Sequence, residues 1–270
     1  MSVATVLRRC ALPAVLAGGL VGIFTGAFIA AHAEIPLNER RSSYEDMSAD
    51  NKAMQDDDTA NPGMLAVLDG EALWLAKAGS AGKSCADCHG DAKDKMKGVA
   101  ARYPAFDLAS GRPIDLEQRI NSCRTNQQQA TPLPFESREL LALTAFVARH
   151  SKGAAIETGT DPQLVPFIEK GRERYMQRQG QLNLGCTNCH DDNWDKRLAG
   201  SAITQGHPTG YPLYRLEWQS LGSLQRRLRA CITGTRAQAY DYGAPELVEL
   251  ELYLMSRARG MAMETPAVRP

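Results

Sequence analysis

The 270-residue sequence lacks net charge, with 31 Lys and Arg against 31 Asp and Glu. That balance disfavours a generic nucleic-acid binder, because neutralising phosphates takes a local excess of basic side chains. A βαβ pattern is also missing, so a parallel-sheet fold is not expected. Apolar residues reach 43%, a little under the roughly 45–50% of ordinary globular domains. A core can form, but a bulky apolar cofactor would help it. The length is generous for one domain and comfortable for two small ones. The one long apolar run extends from about Cys10 to Ala31, behind Arg8 and Arg9, and ends in the small-x-small pattern Ala31-His32-Ala33. It reads as a signal peptide over 1–33, with the mature chain starting at Glu34 in the periplasm. A retained anchor is the alternative, since the run approaches the ~20 residues of a spanning helix. The cleavage pattern directly at its end favours export, with no membrane span in the mature chain.

What is present is cysteine, at positions 10, 85, 88, 123, 186, 189 and 231. Cys10 leaves with the signal. Cys85-Ala86-Asp87-Cys88-His89 and Cys186-Thr187-Asn188-Cys189-His190 are both C-x-x-C-H motifs. In this motif two thiols add across the porphyrin vinyl groups and the adjacent His reaches the iron. Paired C-x-x-C can also hold zinc or cycle as a dithiol. Neither use requires a His directly after the second Cys in both copies. Two covalently bound c-type haems are therefore expected. Their attachment after unfolded export favours the general secretory route over the twin-arginine route that Arg8-Arg9 weakly suggests.

The motifs belong to an internal repeat. Gly70 and Gly171 each lie 15 residues before the first Cys of their motif, and each opens a helical stretch, with Trp74 and Tyr175 respectively. Tyr103-Pro104 and Tyr211-Pro212 follow the motifs. Leu116–Cys123 then aligns with Leu224–Cys231, and each copy closes on an apolar helix, near Glu139–Arg149 and Glu246–Ser256. Leu140, Leu143 and Val147, like Leu247, Leu250 and Leu254, have helical spacing and read as core. The fold class is mainly α: two tandem cytochrome c-like haem domains, expected over 64–150 and 164–270. The stretch 151–163, with Gly153, Gly159 and Pro162, reads as a linker. The polar stretch 34–63 reads as an extension outside the haem folds.

Once four cysteines are spent on haem vinyls, Cys123 and Cys231 remain, 34 and 41 residues after His89 and His190. They could be buried free thiols, a disulfide between domains, or axial thiolates. Their equivalence under the repeat favours axial ligation. A disulfide would need corresponding points of separate domains to come within about 7 Å. Met96 and Met255 are weaker ligand candidates without repeat counterparts, and His150 and His207 read as surface or core residues. Charge is also uneven locally. No acidic residue occurs from Leu221 to Tyr240, a stretch that holds Arg226, Arg227, Arg229 and Arg236. Arg227 and Cys231 sit at i, i+4 and share a helix face. A guanidinium beside a sulfur lowers the thiol pKa and can hold an oxyanion in a fork. Arg226 and Arg229 read as a solvated face or as haem-propionate partners. For Arg227 a functional role is favoured, tempered by its repeat partner Arg119 beside Cys123.

The two haem motifs, the Arg-x-x-x-Cys of Arg227 and Cys231, and the ending Leu250–Leu254 through Glu264–Arg269 resemble SoxA, the dihaem cytochrome A subunit of the Sox sulfur-oxidising system. The likeness spans essentially the whole mature chain. It implies L-cysteine S-thiosulfotransferase activity, in which thiosulfate is joined oxidatively to a cysteine of the carrier SoxYZ while two electrons leave through haem. It also implies a heterodimer with the small c-type cytochrome SoxX. By this resemblance the catalytic iron is held by His190 and by Cys231 carried as a persulfide. Arg227 corresponds to the substrate-binding arginine, and His89 and Cys123 to the axial pair of the other haem. Some relatives have lost that first haem, but this chain keeps Cys85, Cys88, His89 and Cys123. The chemistry agrees: thiosulfate is a dianion, drawn by an acid-free Arg cluster, and a persulfide is a reversible cysteine state. A plain dihaem electron carrier without a substrate site is the alternative. A dihaem peroxidase comes third, since it needs an iron position open to peroxide.

Overall fold

Two crossed helix pairs, built alike, organise the chain. The computed structural model describes residues 35–270, so the expected signal segment and Cys10 lie outside the described residues. In the first half come α1 (Ala49–Asp56), α2 (Gly63–Leu75), the one-turn haem-motif helix α3 (Cys85–His89), α4 (Ala92–Lys95), the hairpin β1 (Ala105–Asp107) and β2 (Arg112–Ile114), α5 (Leu116–Cys123) and α6 (Arg138–Arg149). The second half repeats the plan with α7 (Val165–Met176), α8 (Cys186–His190), the hairpin β3 (Arg197–Leu198) and β4 (Ser201–Ala202), then β5 (Leu213–Arg215), β6 (Ser220–Gly222), α9 (Leu224–Gly234) and α10 (Pro245–Arg257). A final strand, β7 (Ala267–Arg269), pairs parallel with β5 and makes a three-stranded sheet that the first half does not have.

The repeated glycines explain the crossings. A Cβ on Gly70 would lie 2.1 Å from the Ala142 carbonyl oxygen, and one on Gly171 would lie 2.1 Å from that of Glu249. Helix α2 thus meets α6, and α7 meets α10, backbone against backbone. A side chain at either point would force the pair apart, at a cost of about 1–3 kcal/mol by overpacking. The leucines expected to be core on α6 and α10 are buried, Leu140 and Leu247 completely. Local signals set the starts of the helices that carry Cys123 and Cys231. Asp115 caps α5 through the Gln118 N–H at 2.7 Å, and Ser223 caps α9 through the Arg226 N–H at 3.1 Å. Such caps satisfy donors that the first helical turn leaves open.

Two stretches differ from the sequence expectation. The linker read at 151–163 is pinned to the core at three points: Ser151, Ile156 and Thr158 are at most 1% exposed, while Lys152, Gly153, Ala155 and Glu157 between them face outward. Glu157 N–H donates to the Ala101 carbonyl, and the Thr158 hydroxyl lies within bonding distance of the Ala101 and Tyr103 carbonyls. Its polar groups bond backbone rather than water, which lets it sit where Ala100, Ala148 and Ile156 share a core with Met255, Ala258 and Met263. The polar stretch read as an extension outside the haem folds instead lies across the C-terminal strand. Asn61 donates to the Pro266 carbonyl at 2.9 Å, Val268 N–H donates to Gln55, and Arg269 bonds Ser43 and Gln55. Its polarity supplies partners for the backbone and the arginine of β7. Residues Glu34–Pro270 form one compact unit.

Two candidate haem sites

Each distal cysteine is delivered to its own haem motif by the same backbone staple. Before α3, Gly79 turns with φ +63°, and a Cβ there would lie 2.1 Å from the Gln128 carbonyl oxygen. Before α8, Gly180 turns with φ +70° against the Thr235 carbonyl, again at 2.1 Å. Hydrogen bonds from Ser80 and Ala81 to Gln129 and Gln128, and from Gln181 and Leu182 to Arg236 and Thr235, fix these contacts. The chain leaving Cys123 or Cys231 is thereby tied to the loop entering the motif. Cys123 lies within electrostatic reach of Cys85 and Cys88, and Cys231 of Cys186 and Cys189. All six described cysteines are free of disulfides, which removes the inter-domain bridge. Burial pushes the Cys85 and Cys123 thiols up, and the Cys186 thiol up to about 12 with the facing Cys231 adding to it. Met255 is buried in the core and joins no site; His207 is also buried, with its imidazole N–H on the Arg41 carbonyl at 3.0 Å and within electrostatic reach of His190.

The two sites open in opposite directions. His89 is exposed beside Trp74, with ring centroids 5.6 Å apart. His190 is enclosed by the 191–206 segment carrying β3 and β4, and its Nδ1–H donates to the Thr204 carbonyl at 2.7 Å. That bond fixes the tautomer and leaves Nε2 free to act as a metal ligand. Burial holds the His190 pKa below its usual value, and the Arg257 and Arg227 charges lower it further. On the cysteine side the order reverses, with Cys231 exposed and Cys123 half-buried.

The arginines differ most. The register that aligns α5 with α9 also aligns Tyr103 with Tyr211 and Asp107, at the end of β1, with Arg215, at the end of β5. Arg119 is held by Asp107 at 2.7 Å and by the Tyr103 hydroxyl at 3.3 Å. Its repeat partner Arg227 meets no carboxylate, because Arg215 stands where Asp107 does. Among the described residues its guanidinium has no hydrogen-bond or ion-pair partner, while its charge acts on His190 and Tyr211. The neighbouring arginines are occupied. Arg226 stacks 4.2 Å over Trp218 and faces Glu136 of the first half at 3.9 Å, and Arg229 stacks 4.4 Å over Tyr242. The acid-free stretch of sequence is therefore partly neutralised in space, but not at Arg227.

The residues fit covalent haem. Two thiols and a His on one helical turn face a further cysteine in each half, the arrangement in which the paired thiols would add across porphyrin vinyl groups and the His would reach the iron. Near the motifs, within electrostatic reach of Cys85 and Cys186 respectively, Arg124 Nε and Arg257 Nη1 are buried without a hydrogen-bond partner. Buried donors of this kind ordinarily find an acceptor, and a haem carboxylate would provide one. Cys85, Cys88 and His89 would hold one haem and Cys186, Cys189 and His190 the other.

A helical scaffold repeated twice, with one haem-attachment motif per copy, defines a two-domain c-type cytochrome. The chain belongs to the SoxA/TsdA cytochrome c family, whose domain model matches residues 69–156 and 170–263. It is 40% identical to the L-cysteine S-thiosulfotransferase subunit SoxA of Pseudaminobacter salicylatoxidans, over 87% of this chain and 82% of that relative. It is 37% identical to the SoxA subunit of Rhodovulum sulfidophilum, over 93% and 88% of the two chains. The crystal structure of SoxXA from P. pantotrophus superposes with a TM-score of 0.82 at 31% identity, covering 86% of this chain and 87% of that one. These likenesses bear out the family resemblance, the helical double-cytochrome fold and the c-type haems read from sequence.

Sequence reasoning missed three features: Thr204 behind His190, the substitution of Arg215 for Asp107, and a buried polar cluster between the halves. In that cluster Gln225 donates to Asp115 at 2.7 Å and lies 3.5 Å from Glu251, with Glu117 nearby. Extending the Leu116/Leu224 alignment upstream would have exposed the Asp107/Arg215 exchange. Nothing in the sequence marks the cluster.

Proposed function

We propose that this chain is the haem subunit of an L-cysteine S-thiosulfotransferase and that its second haem site carries the reaction. Thiosulfate is joined to a cysteine thiol of a SoxYZ-like carrier. One S–S bond forms, and two electrons and the thiol proton are released. Haem held at Cys186, Cys189 and His190 supplies one-electron chemistry. Cys231, exposed and on the same helix face as Arg227, carries the reacting sulfur as a persulfide within reach of a docking carrier cysteine. Arg227 binds the sulfonate oxygens through its planar fork, and Arg215, itself paired with Glu217 at 2.8 Å, puts no carboxylate beside Arg227 to compete with the substrate. Thr204 keeps His190 in its ligating tautomer. Cys123 and His89 would hold the iron of the first haem, beside an Arg119 that is already neutralised. Electrons pass to a SoxX-like monohaem cytochrome c bound as a heterodimer, while the carrier binds transiently, and the assembly works in the periplasm. No helix of the described residues is long and apolar enough to cross a membrane.

The replacement of Asp107 by Arg215 under the repeat is the observation that carries this reading, since it leaves one of two equivalent arginines free for an anion. The test is Cys231→Ala in the reconstituted heterodimer. Expected is an intact mass with two haems, because Cys186 and Cys189 still attach the second, together with loss of thiosulfate conjugation. Retained conjugation in the variant would remove Cys231 from the reaction, and absence of conjugation by the wild-type heterodimer would leave a plain electron carrier as the function.

A further inference from the structure

The second haem site has a feature behind His190 that the first lacks. The crossing that sets Gly70 against Ala142 and Gly171 against Glu249 carries His150 of the first half onto Arg257 of the second. These two equivalent positions share one trait. His150 Nε2 and Arg257 Nη1 are both buried with no hydrogen-bond partner. Their surroundings differ. His150 sits edge-on to Phe146 at 5.1 Å, and the residue after His89 is Gly90. Arg257, 9% exposed, donates through Nη2 to Asp191 at 2.7 Å and lies 4.5 Å over the Tyr175 ring. The Tyr175 hydroxyl donates to the same Asp191 oxygen at 2.8 Å. Asp191 directly follows His190 in the chain. One buried cation is thus clamped on two sides against the haem-motif helix, with its remaining nitrogen open.

Around this guanidinium lie the titratable groups of every packed element. They are Tyr175 on α7, Cys186 and His190 on α8, Asp191 after it, His207 on the following segment, and Tyr253 on α10. Asp191 is the one carboxylate among them, and it is already shared with Tyr175. A fixed positive charge beside a redox centre favours the reduced, less positive state, and burial keeps solvent from screening it.

We infer that Arg257 is a positioning residue of the second haem site, clamped by Asp191 and Tyr175 so that Nη1 meets a haem carboxylate and its charge raises that haem's reduction potential. The inference rests on the reading of Cys186, Cys189 and His190 as a haem site. The first haem, with neutral His150 and Gly90 in the matching places, is left without this contribution. A raised potential at the second haem eases the departure of electrons from the forming S–S bond.

The test is a redox titration of the purified holoprotein, followed by electron paramagnetic resonance so that each haem is read separately. Intact mass is recorded in parallel. A wild-type mass with one haem would remove the haem reading itself, whereas two haems leave the inference to the titration. Arg257→Gln should lower the second potential by at least the 59 mV that a tenfold one-electron change represents, with the first unmoved. Arg257→Lys, which keeps the charge, should stay near wild type. Asp191→Asn, which leaves the arginine less compensated, should shift the second potential upward. If Arg257→Gln fails to load its second haem, Asp191→Asn decides: an upward shift supports the inference and no shift overturns it. Equal movement of both haems, or shifts of the same sign for Arg257→Gln and Asp191→Asn, would also overturn it.

Discussion

The two haem sites share a scaffold and differ in what is left unsatisfied. In the first, Arg119 is bonded by Asp107 and Tyr103, the distal Cys123 is half-buried, and His89 faces outward. In the second, Arg227 has no anionic partner, Cys231 is exposed, and His190 is enclosed behind Thr204. Duplication supplied two equivalent frames with the same glycine crossings and loop staples. Divergence at single positions, above all the end of β1 against the end of β5, made one frame self-neutralised and the other receptive to an anion. One exchange, Asp107 against Arg215, thus decides whether an equivalent arginine is neutralised within the chain.

The sharpest way to break this comparison is to change both arginines identically. Arg227→Lys keeps the charge but loses the planar fork. It should lower kcat/KM for thiosulfate by about 10–100-fold, the range of a charge-assisted hydrogen bond of about 1.5–3 kcal/mol. Arg119→Lys should change it less than about threefold, because the lost contact is a structural ion pair at a partly exposed site. Equal effects would mean that Arg227 is structural. A smaller effect is expected from installing the first half's carboxylate in the second. Arg215→Asp gives Arg227 an internal partner, so KM for thiosulfate should rise by about tenfold with haem content unchanged. An unchanged KM would show that Asp107 is not what distinguishes the two sites.

Much of this was legible in the sequence because it follows from covalent spacing. The C-x-x-C-H motifs, Cys123 and Cys231, and the Gly70 and Gly171 positions all repeat at fixed intervals, and the helix periodicity carried the core. What the sequence concealed depends on distant partners. Residues 34–63 are polar, yet they fold over β7 because Gln55, Asn61 and Ser43 match unpaired groups of the C-terminal strand. Residues 151–163 have linker composition, yet Ile156 and Thr158 are buried between the halves. His150 looked solitary because its repeat partner is an arginine rather than another histidine.

The interface between the halves gives the smallest expected effect. Burial raises Asp115 to about 6 and holds Glu117 and Glu251 well above the usual carboxylate range. These groups bind protons more tightly folded than unfolded. Their contribution is therefore favourable below their unfolded pKa near 4 and is lost as pH rises through each raised folded value, about 6 for Asp115. Glu117→Gln should raise Tm at pH 7 by about 2–4 °C, the scale of 1 kcal/mol in a protein of this size, and should change it little at pH 4. Depressed carboxylates elsewhere act with the opposite sign, so the difference between variant and wild type is the quantity to read. A variant curve parallel to wild type from pH 4 to 7 would place the cluster outside the pH response.

The most direct test of a single receptive site is to titrate thiosulfate into the oxidised two-haem protein while following the low-spin resonance of each haem. Saturable perturbation of the second haem alone is expected, shifted to about 10–100-fold higher thiosulfate in Arg227→Lys and preserved in Arg119→Lys. A matching perturbation at the first haem, or one that keeps its wild-type midpoint in Arg227→Lys, would contradict the assignment of substrate binding to the site that lacks a counterpart of Asp107.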